Sequence, residues 1–234
     1  MEMSPVARRG LAIAGLVVCL AALLAELVVQ ATAHIAHGGN LLGALLRFIS
    51  YYTVGSNLLL VLIYVAHLEP AQGLHIFRDA RVRTMAAAMI TLVMLVYMFI
   101  LSRIENPQGW LGKVSVIAAH YIAPPIYLVW WAAALRDDTI SMRDLPLMVA
   151  PSVAYMGYVL LLGHLTGKYP YAMLNADQLG LLSMVLHGLG MLIALVGACA
   201  GCIALARWVQ GCPVSTEGQP MGCVRRGRDG KERG

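Results

Sequence analysis

Residues 11–32 read LAIAGLVVCLAALLAELVVQAT, a run with one charged side chain, Glu26, and no proline. An α-helix rises 1.5 Å per residue, so about 20 such residues cross a hydrocarbon core about 30 Å thick. The run is read as a transmembrane helix. Five further apolar stretches meet the same test, at 44–67, 85–102, 111–135, 145–165 and 179–208. The last is long enough to tilt or to continue into the aqueous phase. Hydrophobic residues make up 59% of the 234-residue chain and charged residues 12%. A soluble domain carries about 25% charge, and the mean hydropathy here is +0.72. The expected fold is therefore an all-α polytopic bundle of six transmembrane helices. Residues 1–10 precede it. A tail, 209–234, rich in glycine, proline and charge, follows and reads as disordered.

Orientation follows from where lysine and arginine fall. Arg8, Arg9, Arg78, Arg81, Arg83, Arg136, Arg143, Arg207 and five more in the tail lie on the side of the termini. The opposite side has Arg47, Arg103, Lys113 and Lys168. The positive-inside bias puts both termini in the cytoplasm. Arg8-Arg9, the first apolar run and Ala31-Thr32-Ala33 also resemble a signal peptide with a small-residue cleavage site. A signal core is about 7–15 residues, however, and this run is longer and holds Glu26, so retention is expected.

The net charge of +5 does not point to nucleic acid, because the cations form no stripe interleaved with aromatics. Cys19, Cys199, Cys202, Cys212 and Cys223 all fall in segments placed within the membrane or on its cytoplasmic side, which argues against a disulfide framework. No phosphate loop, nucleophile elbow or zinc-protease helix motif occurs. His34 and His37 lack companions at metal-ligand spacing, and no metal site is expected. Cys199 and Cys202 sit in an apolar helix and read as small packing residues. Gly197 and Gly201 form a GxxxG pair that permits close helix contact. Tyr127, Trp130 and Trp131 suit either a cavity wall or an interfacial belt.

Polar side chains inside apolar helices are costly and therefore informative. The second stretch carries Thr53, Ser56 and Asn57 on one helical face; the fourth carries His120 before Pro124-Pro125. The sixth carries His187 and the first Glu26. Counted from the outer ends of their helices, all four positions lie about 9–14 Å deep, in one layer of the outer half of the membrane. Each also has a plainer reading. A hydroxyl in a helix ordinarily bonds its own backbone carbonyl. Ser56 and Asn57 serve equally as hydrogen-bond glue between helices, and His120, His187 and Glu26 as structural partners. The proline pair would kink the fourth helix, opening a cavity beside His120 or only shaping packing.

Three motifs carry a resemblance. Residues 47–58 read RFISYYTVGSNL and 120–125 read HYIAPP; Pro151, Tyr155 and then GHLTGKYPY at 163–171 follow. Their order, spacing and six-helix frame resemble the androgen-induced protein family of membrane hydrolases, closest to its bacterial six-pass members. The resemblance covers roughly residues 11–208. It implies a threonine nucleophile in the second helix and a histidine in the fourth, hydrolysing fatty acid esters of hydroxy fatty acids. Matched motif to motif, these fall on Thr53 and His120. The residues after Thr53 depart from the animal pattern, a more apolar run with an acidic residue, so the groups assisting the threonine differ here.

These readings lead to a membrane-embedded lipid ester hydrolase that needs no cofactor, in a bacterial inner membrane. Its expected partners are membrane lipids and a hydrophobic ester. A neutral His120 would take the Thr53 proton and return it to the leaving alcohol. Asn57, or backbone groups freed near Pro124, would face the oxyanion. His187, Ser56 and Glu26 would support the pair. Arg47, Lys113 or Lys168 would hold a substrate carboxylate. Two rivals stand beside it: a non-enzymatic lipid or small-molecule binding or transport protein, and a haem protein with His120 and His187 as facing ligands.

Overall fold

The computed structural model describes residues 3–69, 72–135, 140–167, 169–171 and 174–211, and among these there is helix but no strand. The chain begins with α1, Pro5–Ala36, whose first turn carries proline and is capped by the Ser4 hydroxyl accepting from the Ala7 N–H at 3.2 Å. Then come α2, Leu41–Ile49; α3, Tyr52–Leu68; and α4, Ala80–Phe99, capped by Asp79 and continued by a 3-10 turn to Arg103. α5, Gly109–Ile117, runs through a π-helical turn, Ala118–Ile122, into α6, Ala123–Ala133. α7, Leu145–Thr166, short α8, Ala176–Leu179, and α9, Leu181–Gly211, complete the order.

Five spans, at Pro5–Ala36, Ala80–Arg103, Gly109–Ala133, Met142–Thr166 and Leu181–Val209, are long and apolar enough to cross a membrane; a sixth is added if α2 and α3 count as one. Leucines and isoleucines such as Leu24, Leu182, Leu186 and Ile193 face outward, while Asn57, Thr84 and His120 are buried. Large exposed apolar area around an apolar core that holds a few buried polar groups is the arrangement an integral membrane protein requires.

The expectation of one continuous helix over 44–67 is corrected. α2 and α3 meet at 76°, with Tyr51 extended between them (φ −85°, ψ 131°). The reason lies in α7, where Ser152, Tyr155 and Tyr158 recur at three-residue spacing on one face. Tyr155 donates to the Ser50 carbonyl at 2.8 Å, and the Tyr158 and Ser50 hydroxyls bond at 2.8 Å. Tyr52 and Ser152 hydroxyls bond at 2.7 Å, and the Tyr52 N–H donates to the Tyr171 hydroxyl at 3.0 Å. Side chains thus satisfy the backbone that an unbroken helix would satisfy itself.

The other expected spans shift at their ends: α4 takes in Arg81 and Arg83, the latter buried, and the sixth begins at Leu181 and runs past Trp208. Residues 212–234, most of the expected tail, lie outside the described residues.

At the end of the bundle that holds the N-terminus, Tyr127, Trp130 and Trp131 are fully buried. They form neither a cavity wall nor an interfacial belt. Tyr64 meets Trp130 edge-on at 5.2 Å, the Tyr127 hydroxyl donates to the Arg83 carbonyl at 3.0 Å, and the Trp131 indole donates to the Thr84 hydroxyl at 3.1 Å. Close helix approach occurs at Gly15, where a Cβ would overlap the Tyr64 ring, whereas Cβ atoms at Gly197 and Gly201 would meet nothing within 4 Å. Cys199 and Cys202 pack in the same core.

Tyr155→Phe removes the donor to the Ser50 carbonyl and should lower stability by about 1–3 kcal/mol. Thermal unfolding in detergent beside Tyr121→Phe, whose ring is exposed, would check it: equal melting of the two variants contradicts this account of the break.

Candidate functional site

Thr53 is the second residue of α3, and this position frees its hydroxyl. Thr32, Thr91, Ser102 and Thr166 each donate to the carbonyl four residues back, at 2.7–2.9 Å. Thr53 has no preceding helical turn to bond, because the chain breaks at Tyr51. Its Oγ1 instead lies 3.4 Å from Nε2 of His120, 67 residues on.

The opposite ring nitrogen of His120, Nδ1, lies 3.1 Å from the Val116 carbonyl oxygen. A carbonyl only accepts, so Nδ1 carries a proton and, in the neutral ring, Nε2 is the acceptor facing Thr53. Tyr97 from α4 stacks on the imidazole, with ring centroids 4.1 Å apart and planes 34° apart, and fixes its orientation. The π-helical turn that holds His120 precedes Pro124 and Pro125. A proline ring clashes with the carbonyl four residues back in a regular α-turn, and the wider turn makes room for the two rings. His120 lies about 16 Å along its span from Gly109. Thr53 reaches that depth because α3 begins there.

The pair stands where two cavities join. One, of about 500 Å³, lies between α4, α7, α9 and the start of α3; Leu92, Val96, Leu189 and Leu192 help to line it. Val153, Val185 and Leu189 on its wall are half exposed on the faces of α7 and α9, so it opens sideways. The other, of about 360 Å³, is bordered by Glu26, Gln30, Asn57, Ser115 and the segment holding Glu105, Asn106 and Gln108. Thr53, His120, Leu101 and Tyr171 border both.

Tyr171 was quoted from the sequence only as part of a motif. Its hydroxyl accepts from the Tyr52 N–H and sits against the Thr53 side chain and amide. Burial pushes its phenol up to about 12, so it stays protonated and keeps an O–H to donate. Tyr97, Tyr52 and Ser152 also escaped the sequence reading, because aromatic and hydroxyl residues abound in apolar helices and only their contacts single them out.

The other expected site residues divide. Glu26 borders the second cavity, which His120 also borders, and accepts from Ser115 at 2.7 Å and from Gln30 at 2.8 Å. Asn57 donates to the Thr53 carbonyl at 2.9 Å, so its amide group is turned along its own helix rather than toward an oxyanion. The groups freed before Pro124 are carbonyls, which accept, and so cannot serve there either. Ser56 is buried, and its hydroxyl has no hydrogen-bond partner among the described residues. His187 is exposed on α9, donates to the Ser183 carbonyl at 2.7 Å and borders a third cavity, with Ile100 and Ala194, that neither Thr53 nor His120 lines. It does not face His120. Arg47 is exposed and reaches the Tyr51 hydroxyl at 3.4 Å, and Lys113 is exposed; neither borders a cavity beside Thr53. Lys168 lies outside the described residues. Among the described residues no three His, Cys, Asp or Glu side chains converge as a metal site.

No family model, no curated protein and no solved structure matches the chain.

The assigned tautomer can be observed directly. Histidine-selective ¹⁵N NMR should show an unprotonated Nε2 for His120, shifted by Thr53→Val. A protonated Nε2 would contradict the geometry described.

Proposed function

We propose that the chain is a membrane-embedded lipid ester hydrolase in which Thr53 is the nucleophile and His120 the general base. The observation that carries this is the 3.4 Å approach of Thr53 Oγ1 to the accepting nitrogen of a histidine whose other nitrogen is held by a carbonyl. Nucleophile, base and base-orienting group form the arrangement that activates a hydroxyl, and such contacts tighten when substrate binds. The resemblance to the androgen-induced protein family points to the same two residues.

In this reading the acyl chain enters sideways into the apolar cavity. Thr53 Oγ attacks the ester carbonyl carbon as its proton passes to His120 Nε2. The resulting oxyanion is met by the Tyr171 O–H and by the first-turn amides of α3, where the helix dipole is positive. The carbon–oxygen bond to the alcohol breaks, and that oxygen takes the proton from Nε2. Water arriving through the polar chamber then gives a proton to Nε2 and attacks the acyl-threonine carbon. The fatty acid leaves, and Thr53 Oγ recovers its proton. Glu26, whose charge opposes that of an imidazolium, favours the protonated stage of His120.

Six spans with both termini in the cytoplasm, α2 and α3 forming the broken second span, fit the distribution of lysine and arginine. The site then lies in the outer half of a bacterial inner membrane.

Fluorophosphonate labelling of purified protein, beside Thr53→Ala and His120→Ala of verified folding, tests the chemistry. Wild type should label, and each variant should lose esterase activity by about 10²–10⁴-fold. Absent labelling together with an intact lipid ester panel would shift the assignment to lipid binding or transport. For topology, cysteine introduced at Gln108 should react with an impermeant maleimide in intact cells, and cysteine at Ser4 only after lysis.

A further inference from the structure

The two cavities that meet at Thr53 differ in chemistry, and an ester bound across the junction must place its acyl and alcohol halves on opposite sides. The wall of the apolar cavity is mostly aliphatic, and of its hydroxyls those of Tyr52 and Ser152 bond one another while that of Tyr155 donates to the Ser50 carbonyl. The second chamber is polar: beside acceptors at Glu26, Glu105 and Asn57, its border holds the amides of Gln30, Asn106 and Gln108 and the Ser115 hydroxyl, groups that pair with hydroxyls in either direction. Glu26 and Glu105 contribute carboxylates to its border. Partial burial, and then the charge of Glu26, hold the Glu105 carboxyl above its ordinary range, so the two acids sense each other. Asn57 adds an independent observation: it is 1% exposed, it borders this chamber, its Nδ2 is committed to the Thr53 carbonyl, and its Oδ1 has no partner among the described residues. A buried acceptor without a donor is costly unless a ligand supplies one. Among the described residues no lysine or arginine borders the chamber.

Resting on the hydrolase reading, we infer that the polar chamber receives the alcohol half of the ester, and that this alcohol is a neutral polyol of the glycerol type rather than a hydroxy acid. Several separate acceptors around one space match several hydroxyls better than one point charge. A carboxylate-bearing alcohol would enter against Glu26 and Glu105 with no described cation to meet it, and like charges brought together cost affinity. The acyloxy acid implied by the family resemblance is thus disfavoured here. In the cleavage step the polyol oxygen leaves into the chamber with the proton from His120 Nε2, and its remaining hydroxyls donate to Asn57 Oδ1 and the carboxylates.

The test compares kcat/KM of the full chain in detergent for three esters of one acyl group: a monoacylglycerol, an acylcholine and an acyloxy fatty acid. Thr53→Ala serves as the blank. The monoacylglycerol should be cleaved roughly tenfold or more faster than the acyloxy acid, and faster than the acylcholine. Glu105→Gln, and separately Glu26→Gln, should narrow the first ratio by raising turnover of the acyloxy acid. Glu105 lies in a loop, so that variant stands if Glu26→Gln fails to fold. Thr53-dependent cleavage that favours the acyloxy acid or the acylcholine, or a ratio that Glu105→Gln leaves unchanged, overturns the inference and leaves the hydrolase standing. No Thr53-dependent cleavage of any ester, with no fluorophosphonate labelling, removes the hydrolase reading and the inference with it.

Discussion

A helix that begins inside an apolar bundle presents N–H groups that no preceding turn accepts, and one that ends there presents carbonyls that no following turn reaches. Lipid offers neither donor nor acceptor, so such a break persists only where other side chains complete it. Here the break between α2 and α3 is completed by Tyr155, which donates to the Ser50 carbonyl, and by Tyr171, which accepts from the Tyr52 N–H. Much else depends on that arrangement. It starts a helix about 16 Å below the beginning of its neighbour, leaves the Thr53 hydroxyl without its usual backbone acceptor, and turns the positive end of α3 toward the space where the two cavities meet.

The His120 side is built by a different device with the same logic. Two adjacent prolines remove two N–H groups, the helix answers with a π-helical turn, and His120 is carried on that turn. The ring is then held on three sides: Nδ1 by the Val116 carbonyl, one face by Tyr97, and Nε2 toward Thr53. Two departures from regular helix, from segments 67 residues apart, thus meet at one point. Tyrosine hydroxyls bond the freed backbone in one case, and a wider turn makes room for the proline rings in the other. Function proposed for this point draws on the asymmetry around it. One side is mostly aliphatic and opens between α7 and α9; the other is polar, beside the segment that holds Glu105, Asn106 and Gln108.

Much was legible in the sequence because the signals are local or periodic. Apolar runs of about 20 residues set the helical class and the long segments. The cost of polar groups in apolar helices singled out Thr53, His120, Glu26 and Asn57, and all four border the second cavity. The sequence count placed Thr53 along a continuous helix, whereas the residue opens a new one, α3, after the break at Tyr51. His187 satisfied the same depth criterion and stands apart, because depth leaves rotation about the helix axis open and its face of α9 points elsewhere. The cations proposed for a substrate carboxylate fail to border the chamber for the same reason, in the two cases described.

What the sequence determined by itself, then, is a helical chain built for a membrane, with a small set of polar groups inside its apolar runs, since hydropathy and polar cost are written residue by residue. What tertiary structure alone decided is the break at Tyr51, the partnership of Thr53 with His120, and the recruitment of Tyr97 and Tyr171 to them. Each of these depends on which side chain from a distant helix arrives at a given backbone group. A tyrosine that caps a carbonyl across the bundle has the same sequence signature as one that faces lipid, and only the packing of α7 against α2 and α3 tells them apart.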